Sequence, residues 1–168
     1  GAGPGTRDGR DRLPRRTLML FIRRIFVIFG YNSGEYHPRG YVRVNIALIG
    51  FGSVGRGLAT LLRDKATSLR EQYGFAARIV AVVTRSRGSL YAADGLDANA
   101  LLHAASLGGL SNYPDQPGLR RDVTAEAVAA DAAVDVLVEV SPTDLQTAQP
   151  ALSLCYTALD HGKHVVLA

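Results

Sequence analysis

The stretch "VNIALIGFGSVGRGLATLL", residues 44–62, changes character twice. From Val44 to Ile49 it is apolar and β-branched, with Asn45 as its only polar residue. That pattern suits a strand covered on both faces, as in a parallel sheet. Glycines then stand at 50, 52 and 55. Beyond them Val54, Leu58, Leu61, Leu62, Ala66 and Leu69 recur at helical spacing, which predicts a helix from about Ser53 to Leu69, with Gly74 closing the unit.

The alternation continues to the end of the chain. Arg78 to Thr84 reads as a second buried strand, and Asp97 to Leu107 as a helix stopped by Gly108 and Gly109. "SNYPDQPG" is a loop, and "TAEAVAADAA" is a helix with Thr124 or Asp122 as its N-cap. Val134 to Val140 is a third strand and "SPTD" a turn and cap. "QTAQPALSLCYTALDHG" is a helix, with Gly162 suited to the left-handed position after its last turn. "HVVLA" opens another strand, where the sequence stops. Strands alternating with helices predict an α/β fold with a doubly wound parallel sheet, here expected to be incomplete at the C-terminus. No repeat of fixed period is present.

Gly50, Phe51, Gly52, Ser53, Val54 and Gly55 spell G-x-G-x-x-G between a strand and a helix, the context that makes the pattern specific for a Rossmann-type dinucleotide site. Gly50 permits the tight turn out of the strand. Gly52 leaves out a Cβ that would meet a pyrophosphate, and Gly55 lets the helix lie close on the sheet. Backbone N–H groups at the helix start, with the positive end of the helix dipole, would hold the phosphates.

The end of the second strand should distinguish NAD from NADP. A carboxylate there binds the 2′-hydroxyl of the adenosine ribose. The strand instead runs into "TRSRG", residues 84–88, where Arg85 and Arg87 flank Ser86. A guanidinium suits a 2′-phosphate, so NADP is the expected cofactor, with NAD as the alternative. Arg85 lies 30 residues beyond Gly55, further than the usual ~20, so the choice between Arg85 and Arg87 stays open.

The net charge of +4 is unevenly placed. Nine of the 19 basic residues, but only Asp8, Asp11 and Glu35 among the acidic ones, precede Val44. The body that follows is slightly acidic, so the charge is no argument for a nucleic-acid partner. Residues 1–43 read as a basic and apolar leader, disordered or non-native. Its apolar part is broken by Arg23 and Arg24, and each half is too short to span a bilayer, so no membrane partner is expected. Residues 44–168 read as the dinucleotide-binding domain. The single cysteine, Cys155, excludes an internal disulfide and a cysteine-based metal cluster, and fits a reducing, cytoplasmic setting. No metal site is expected.

The body resembles the cofactor domain of the homoserine dehydrogenases. "IALIGFGSVGRGL" at 46–58, "VAVVTRSRG" at 80–88, "DVLVEVSPTDLQTAQPAL" at 135–152 and "ALDHGKHVVLA" at 158–168 carry the resemblance. The "VEVSPTD" and "GKHVV" segments are the discriminating ones. Sugar and inositol dehydrogenases share the "GKHV" turn and remain an alternative, as does a dinucleotide-sensing module without chemistry. The resemblance implies NAD(P)-dependent hydride transfer between aspartate-semialdehyde and homoserine, in the biosynthesis of threonine, methionine and isoleucine. It implies cofactor contacts along residues 50–55, at Arg85 in "TRSRG", and at Ser141, Pro142 and Thr143 near the nicotinamide. Many relatives carry an Asp near Arg85, which keeps NAD open. Helix capping is the competing role for Ser141 and Thr143, and Glu139 reads as a strand-end residue satisfied locally. In the family an Asn-Lys pair and a substrate domain follow "GKHVVxA". No catalytic residue is therefore expected in these 168 residues, which should bind the dinucleotide without turnover, and the full-length protein should be a homo-oligomer. The leader gives no sign of a fused kinase.

Overall fold

The computed structural model describes residues 36–37, 41–144 and 146–168. Most of the leader expected at residues 1–43 therefore lies outside the described residues. Two short pieces of it are strand. Tyr36–His37 (β1) pairs antiparallel with the start of β2, which spans Tyr41–Ile49 and so begins before Val44. Helix α1 (Ser53–Asp64) follows, then α2 (Ala66–Tyr73) and β3 (Phe75–Val83). The single helix expected from Ser53 to Leu69 is thus two. Lys65 breaks the helical path (φ −104°, ψ 3°) while its N–H still bonds to the Leu61 carbonyl. Gly74 ends α2 in the left-handed conformation, φ 61°, as its position in the sequence suggests.

After β3 come β4 (Ser89–Tyr91), α3 (Ala98–Ser106), a 3-10 turn at Leu110–Asn112 and β5 (Arg120–Arg121). Then follow α4 (Ala125–Ala130), β6 (Val136–Glu139), α5 (Ala151–Asp160) and β7 (His164–Leu167). Asp97 caps α3 by accepting from Ala100 N–H, and Thr124 rather than Asp122 caps α4 through Ala127 N–H.

The sheet runs β5-β4-β3-β2-β6-β7, with β1 beside β2. Its centre is parallel: β2 pairs with β3 on one side and β6 on the other, and β6 with β7. This is the expected α/β, Rossmann-type arrangement, with one difference. Strands β1, β4 and β5 pair antiparallel, β4 because β3 returns through a tight hairpin rather than a helix. The sequence "SLY" is too short to announce that strand by periodicity.

The central strands are buried on both faces, as a parallel core requires. Leu48, Val80 and Leu137 are fully enclosed, and Val80 and Leu137 belong with Ala47 and Ile49 of β2 and Leu154 and Ala158 of α5 to one apolar core. Asn45 interrupts the apolar run for a reason. Its backbone N–H donates to Asp135 Oδ2 at 2.7 Å, its side-chain amide donates to the Ala133 carbonyl at 2.9 Å, and its carbonyl accepts from Asp135 N–H. These bonds set where β6 starts against β2.

Candidate dinucleotide site

Strand β2 has β3 on one flank and β6 on the other, so the chain reverses its winding there. Ligands in open parallel sheets bind beyond the carboxyl ends of the strands at such a switch point. The glycine turn lies there. Gly50 N–H donates to the Val83 carbonyl at the end of β3, and Val140 N–H to the Ile49 carbonyl at the end of β2.

The three glycines have separable roles. Gly50 has φ 99°, and a Cβ on it would stand 2.7 Å from Ser141 N and 2.8 Å from the Val140 carbonyl carbon. Gly55 lies in the first turn of α1, where a Cβ would stand 2.5 Å from the Gly50 carbonyl oxygen. Protein packing alone demands glycine at both positions. Gly52 differs: no described atom lies within 4 Å of where its Cβ would be, and its backbone is extended (φ −80°, ψ −151°). Nothing in the described chain requires glycine there, and the space beside it is open.

That space adjoins the start of α1. Gly52 is the N-cap and offers no side chain to the first-turn N–H groups, and the first turn carries no acidic residue. The N–H groups of Ser53, Val54 and Gly55 precede the first intrahelical bond, made by Arg56 N–H to the Gly52 carbonyl. Ser53 is exposed and Val54 is 55% exposed, so solvent reaches this end. Phe51 is buried, so its side chain serves as an anchor and only its backbone faces the turn. Arg56, which the sequence reading passed over, folds its Nε to 3.3 Å from the Gly52 carbonyl and brings positive charge to the turn. Helix starts of this kind, with open N–H groups and positive charge, suit an anion such as a diphosphate.

Residues 84–88 form the β3–β4 hairpin loop. The Thr84 hydroxyl donates to the Gly88 carbonyl at 2.7 Å and accepts from Arg87 N–H at 2.9 Å. The Arg87 carbonyl accepts from Leu110 N–H at 2.8 Å. The backbone at Arg87 is therefore clamped, and Arg85, Ser86 and Arg87 are all exposed at the tip. No carboxylate ends β3.

On the other side of β2, β6 ends at Glu139, which is 2% exposed. Its Oε1 accepts from Ser141 N–H at 2.7 Å and from the Ser141 hydroxyl at 2.5 Å. Its Oε2 is buried and has no partner among the described residues. Thr143 Oγ1 lies 3.4 Å from the Ser141 carbonyl, and Pro142 is exposed. Neither Ser141 nor Thr143 caps a helix, because α5 starts only at Ala151 rather than near Gln146. Asp144 holds the intervening turn by accepting from the Thr147 N–H and hydroxyl and from Gln146 N–H, and these bonds keep its carboxyl below the usual range.

The two histidines near the start of the last strand lie away from this edge. His164 opens β7 at the amino end of the sheet, and His161 follows α5, its Nδ1 2.8 Å from the Thr157 carbonyl oxygen. Burial, with the Glu139 charge, pushes the Cys155 thiol up, so it is a core residue rather than a thiolate. Among the described residues no group of three His, Cys, Asp or Glu could hold a metal, and no helix is long and apolar enough to cross a membrane.

No protein-family model matches the chain. Individual proteins do. The chain is 38% identical over 122 residues to the NAD(+)-dependent homoserine dehydrogenase of Pseudomonas canavaninivorans, covering 72% of this chain and 34% of that protein. It is 34% identical over 126 residues to the homoserine dehydrogenase of Methanocaldococcus jannaschii, covering 74% and 36%. The chain thus spans about a third of the length of these curated relatives. Among solved structures, the homoserine dehydrogenase of Thermoplasma acidophilum matches with a TM-score of 0.56 at 22% identity, over 74% of this chain and 34% of that one. That of Thiobacillus denitrificans matches with a TM-score of 0.51 at 26% identity, over 76% and 24%. The chain is a homologue of the homoserine dehydrogenases over about three quarters of its length.

Proposed function

We propose, from this kinship, that residues 44–168 are the cofactor-binding part of a homoserine dehydrogenase. Its reaction would be hydride transfer between NAD(P)H and L-aspartate-4-semialdehyde, giving L-homoserine on the way to threonine, methionine and isoleucine. One observation carries the cofactor reading. Gly50 and Gly55 are required by the protein's own packing, whereas Gly52 faces open space at an uncapped helix start. A diphosphate supplies the reason for glycine at that position.

In this reading the N–H groups of Ser53, Val54 and Gly55 hold the diphosphate, with the Arg56 guanidinium adding charge. The TRSRG loop lies at the adenosine ribose, and Ser141, Pro142 and Thr143 lie at the nicotinamide half. The bound dinucleotide supplies or accepts the hydride. The chain supplies orientation.

NADP is the proposed preference. It rests on the exposed Arg85 and Arg87 and on the absence of a carboxylate at the end of β3. One relative carries NAD(+) in its name, and NAD is the alternative cofactor. Arg85→Asp should lower the ratio of NADPH to NADH affinity by at least about tenfold, since it replaces a charge-assisted bond with repulsion. Isothermal titration with both cofactors measures it. A parent that favours NADH, or an unchanged ratio, contradicts the preference. We also propose that the 168 residues bind without turnover, that the protein is cytoplasmic, and that the full-length enzyme is a homo-oligomer. For the first, the support is that His161 and His164 lie away from the carboxyl edge of the sheet, and transfer needs a proton donor there.

A further inference from the structure

The buried Glu139 calls for a physical reason. It is 2% exposed, one of its oxygens takes two donors from Ser141, and the other takes none among the described residues. A buried carboxylate oxygen without a partner is costly. A glutamine would accept the Ser141 N–H equally well and bury no charge. What the carboxylate alone provides is direction, because it only accepts. A glutamine amide can turn and donate to the Ser141 oxygen instead. Against Glu139, the Ser141 hydroxyl proton has one place to go.

The consequence falls on the ligand side of Ser141. With its proton directed to Glu139, its oxygen can only accept from anything else. Ser141 is half-buried, and its backbone nitrogen lies 2.7 Å from where a Gly50 Cβ would stand, so it adjoins the glycine turn. It sits on the β6 side of β2, opposite the TRSRG loop on the β3 side. A dinucleotide laid across the switch point with its adenosine at TRSRG brings its nicotinamide half over β6.

We infer that Glu139 is a positioning residue that fixes the Ser141 hydroxyl as an acceptor for a hydrogen-bond donor on the nicotinamide half of the cofactor. The inference rests on the dinucleotide reading above. Two groups on that half donate: the ribose hydroxyls and the carboxamide N–H2.

The test titrates the 168-residue chain with three probes. They are whichever of NADP+ and NAD+ it binds more tightly, the matching adenosine half (adenosine 2′,5′-bisphosphate or ADP), and the 3-acetylpyridine analogue, which has no amide N–H. Ser141→Ala should weaken the dinucleotide about 5- to 10-fold and the adenosine half less than twofold, the effect of one lost hydrogen bond. Ser141→Thr, which keeps the hydroxyl, should restore affinity to within about twofold, a rescue that general loosening would not give. Glu139→Gln should weaken the dinucleotide about threefold or more and leave the adenosine half alone, with thermal unfolding confirming that each variant is folded. If Ser141→Ala has no effect on the acetylpyridine analogue, the donor is the carboxamide; if the loss persists, it is a ribose hydroxyl. Either result supports the inference. Equal losses for the dinucleotide and the adenosine half, or no loss in Ser141→Ala, overturn it alone. A parent chain that binds none of the probes overturns the dinucleotide reading and this inference with it.

Discussion

Gly50→Ala should destabilise the folded body by about 4 kcal/mol, a large share of the about 5–15 kcal/mol by which native domains are usually stable. Two costs add. The residue holds φ 99°, a conformation that costs a side-chain-bearing residue about 1–3 kcal/mol. The new methyl would also stand 2.7 Å from Ser141 N and 2.8 Å from the Val140 carbonyl carbon and oxygen. These are backbone atoms at the end of a central strand, so relief requires moving β6 or the turn, at about another 1–3 kcal/mol. Urea unfolding followed by circular dichroism measures the loss. A midpoint unchanged from the parent would mean that the turn is not held against β6 as described.

Gly52→Val should do the reverse, leaving stability within about 1 kcal/mol and weakening dinucleotide binding at least about 100-fold. The stability half follows from the open space around that Cβ position and the ordinary extended backbone, with only a small loss from a poorer N-cap. The binding half follows because the diphosphate would occupy that space. Displacing it forfeits two or more charge-assisted hydrogen bonds, each contributing about 1.5–3 kcal/mol. Paired thermal unfolding and titration calorimetry read both numbers. A variant that binds normally would place the phosphates elsewhere. One that unfolds would mean that Gly52, like Gly50, is required for packing.

The contrast between these two glycines shows how much was legible beforehand. The period of the flanking residues announced a strand, a turn and a helix, and the motif announced three roles for three glycines. The motif does not reveal which of these glycines the protein's own packing requires, because whether a missing Cβ faces backbone or open space is set by the fold around the turn. The carboxyl ends of the three central strands followed from apolar runs to within one residue, whereas β2 and β3 begin three residues before the expected Val44 and Arg78 and β6 begins two after Val134. The departures have non-local or side-chain causes. The β3–β4 hairpin is closed by the Thr84 hydroxyl and by a backbone bond from Leu110, contacts that no local period encodes. Helix α5 starts late because the Asp144 side chain takes the N–H groups of Gln146 and Thr147 into a turn. Glu139 is locally satisfied, as its strand-end position suggests, but at one oxygen only. The other depends on what packs over it, which sequence spacing does not reveal. Ser141 and Thr143 are released from the capping role that their residue types invite, since the next helix begins at Ala151.

Backbone amides at the start of α1 gripping a diphosphate is the claim on which the functional reading stands, and a backbone amide titration tests it most directly. With the 168-residue chain labelled with 15N, addition of NADPH should shift the N–H resonances of Gly52, Ser53, Val54 and Gly55 first and furthest, with smaller shifts at Arg85 to Arg87 and at Ser141. Shifts that leave residues 52–55 in place while others move, or no shifts at saturating NADPH and NADH, would contradict it.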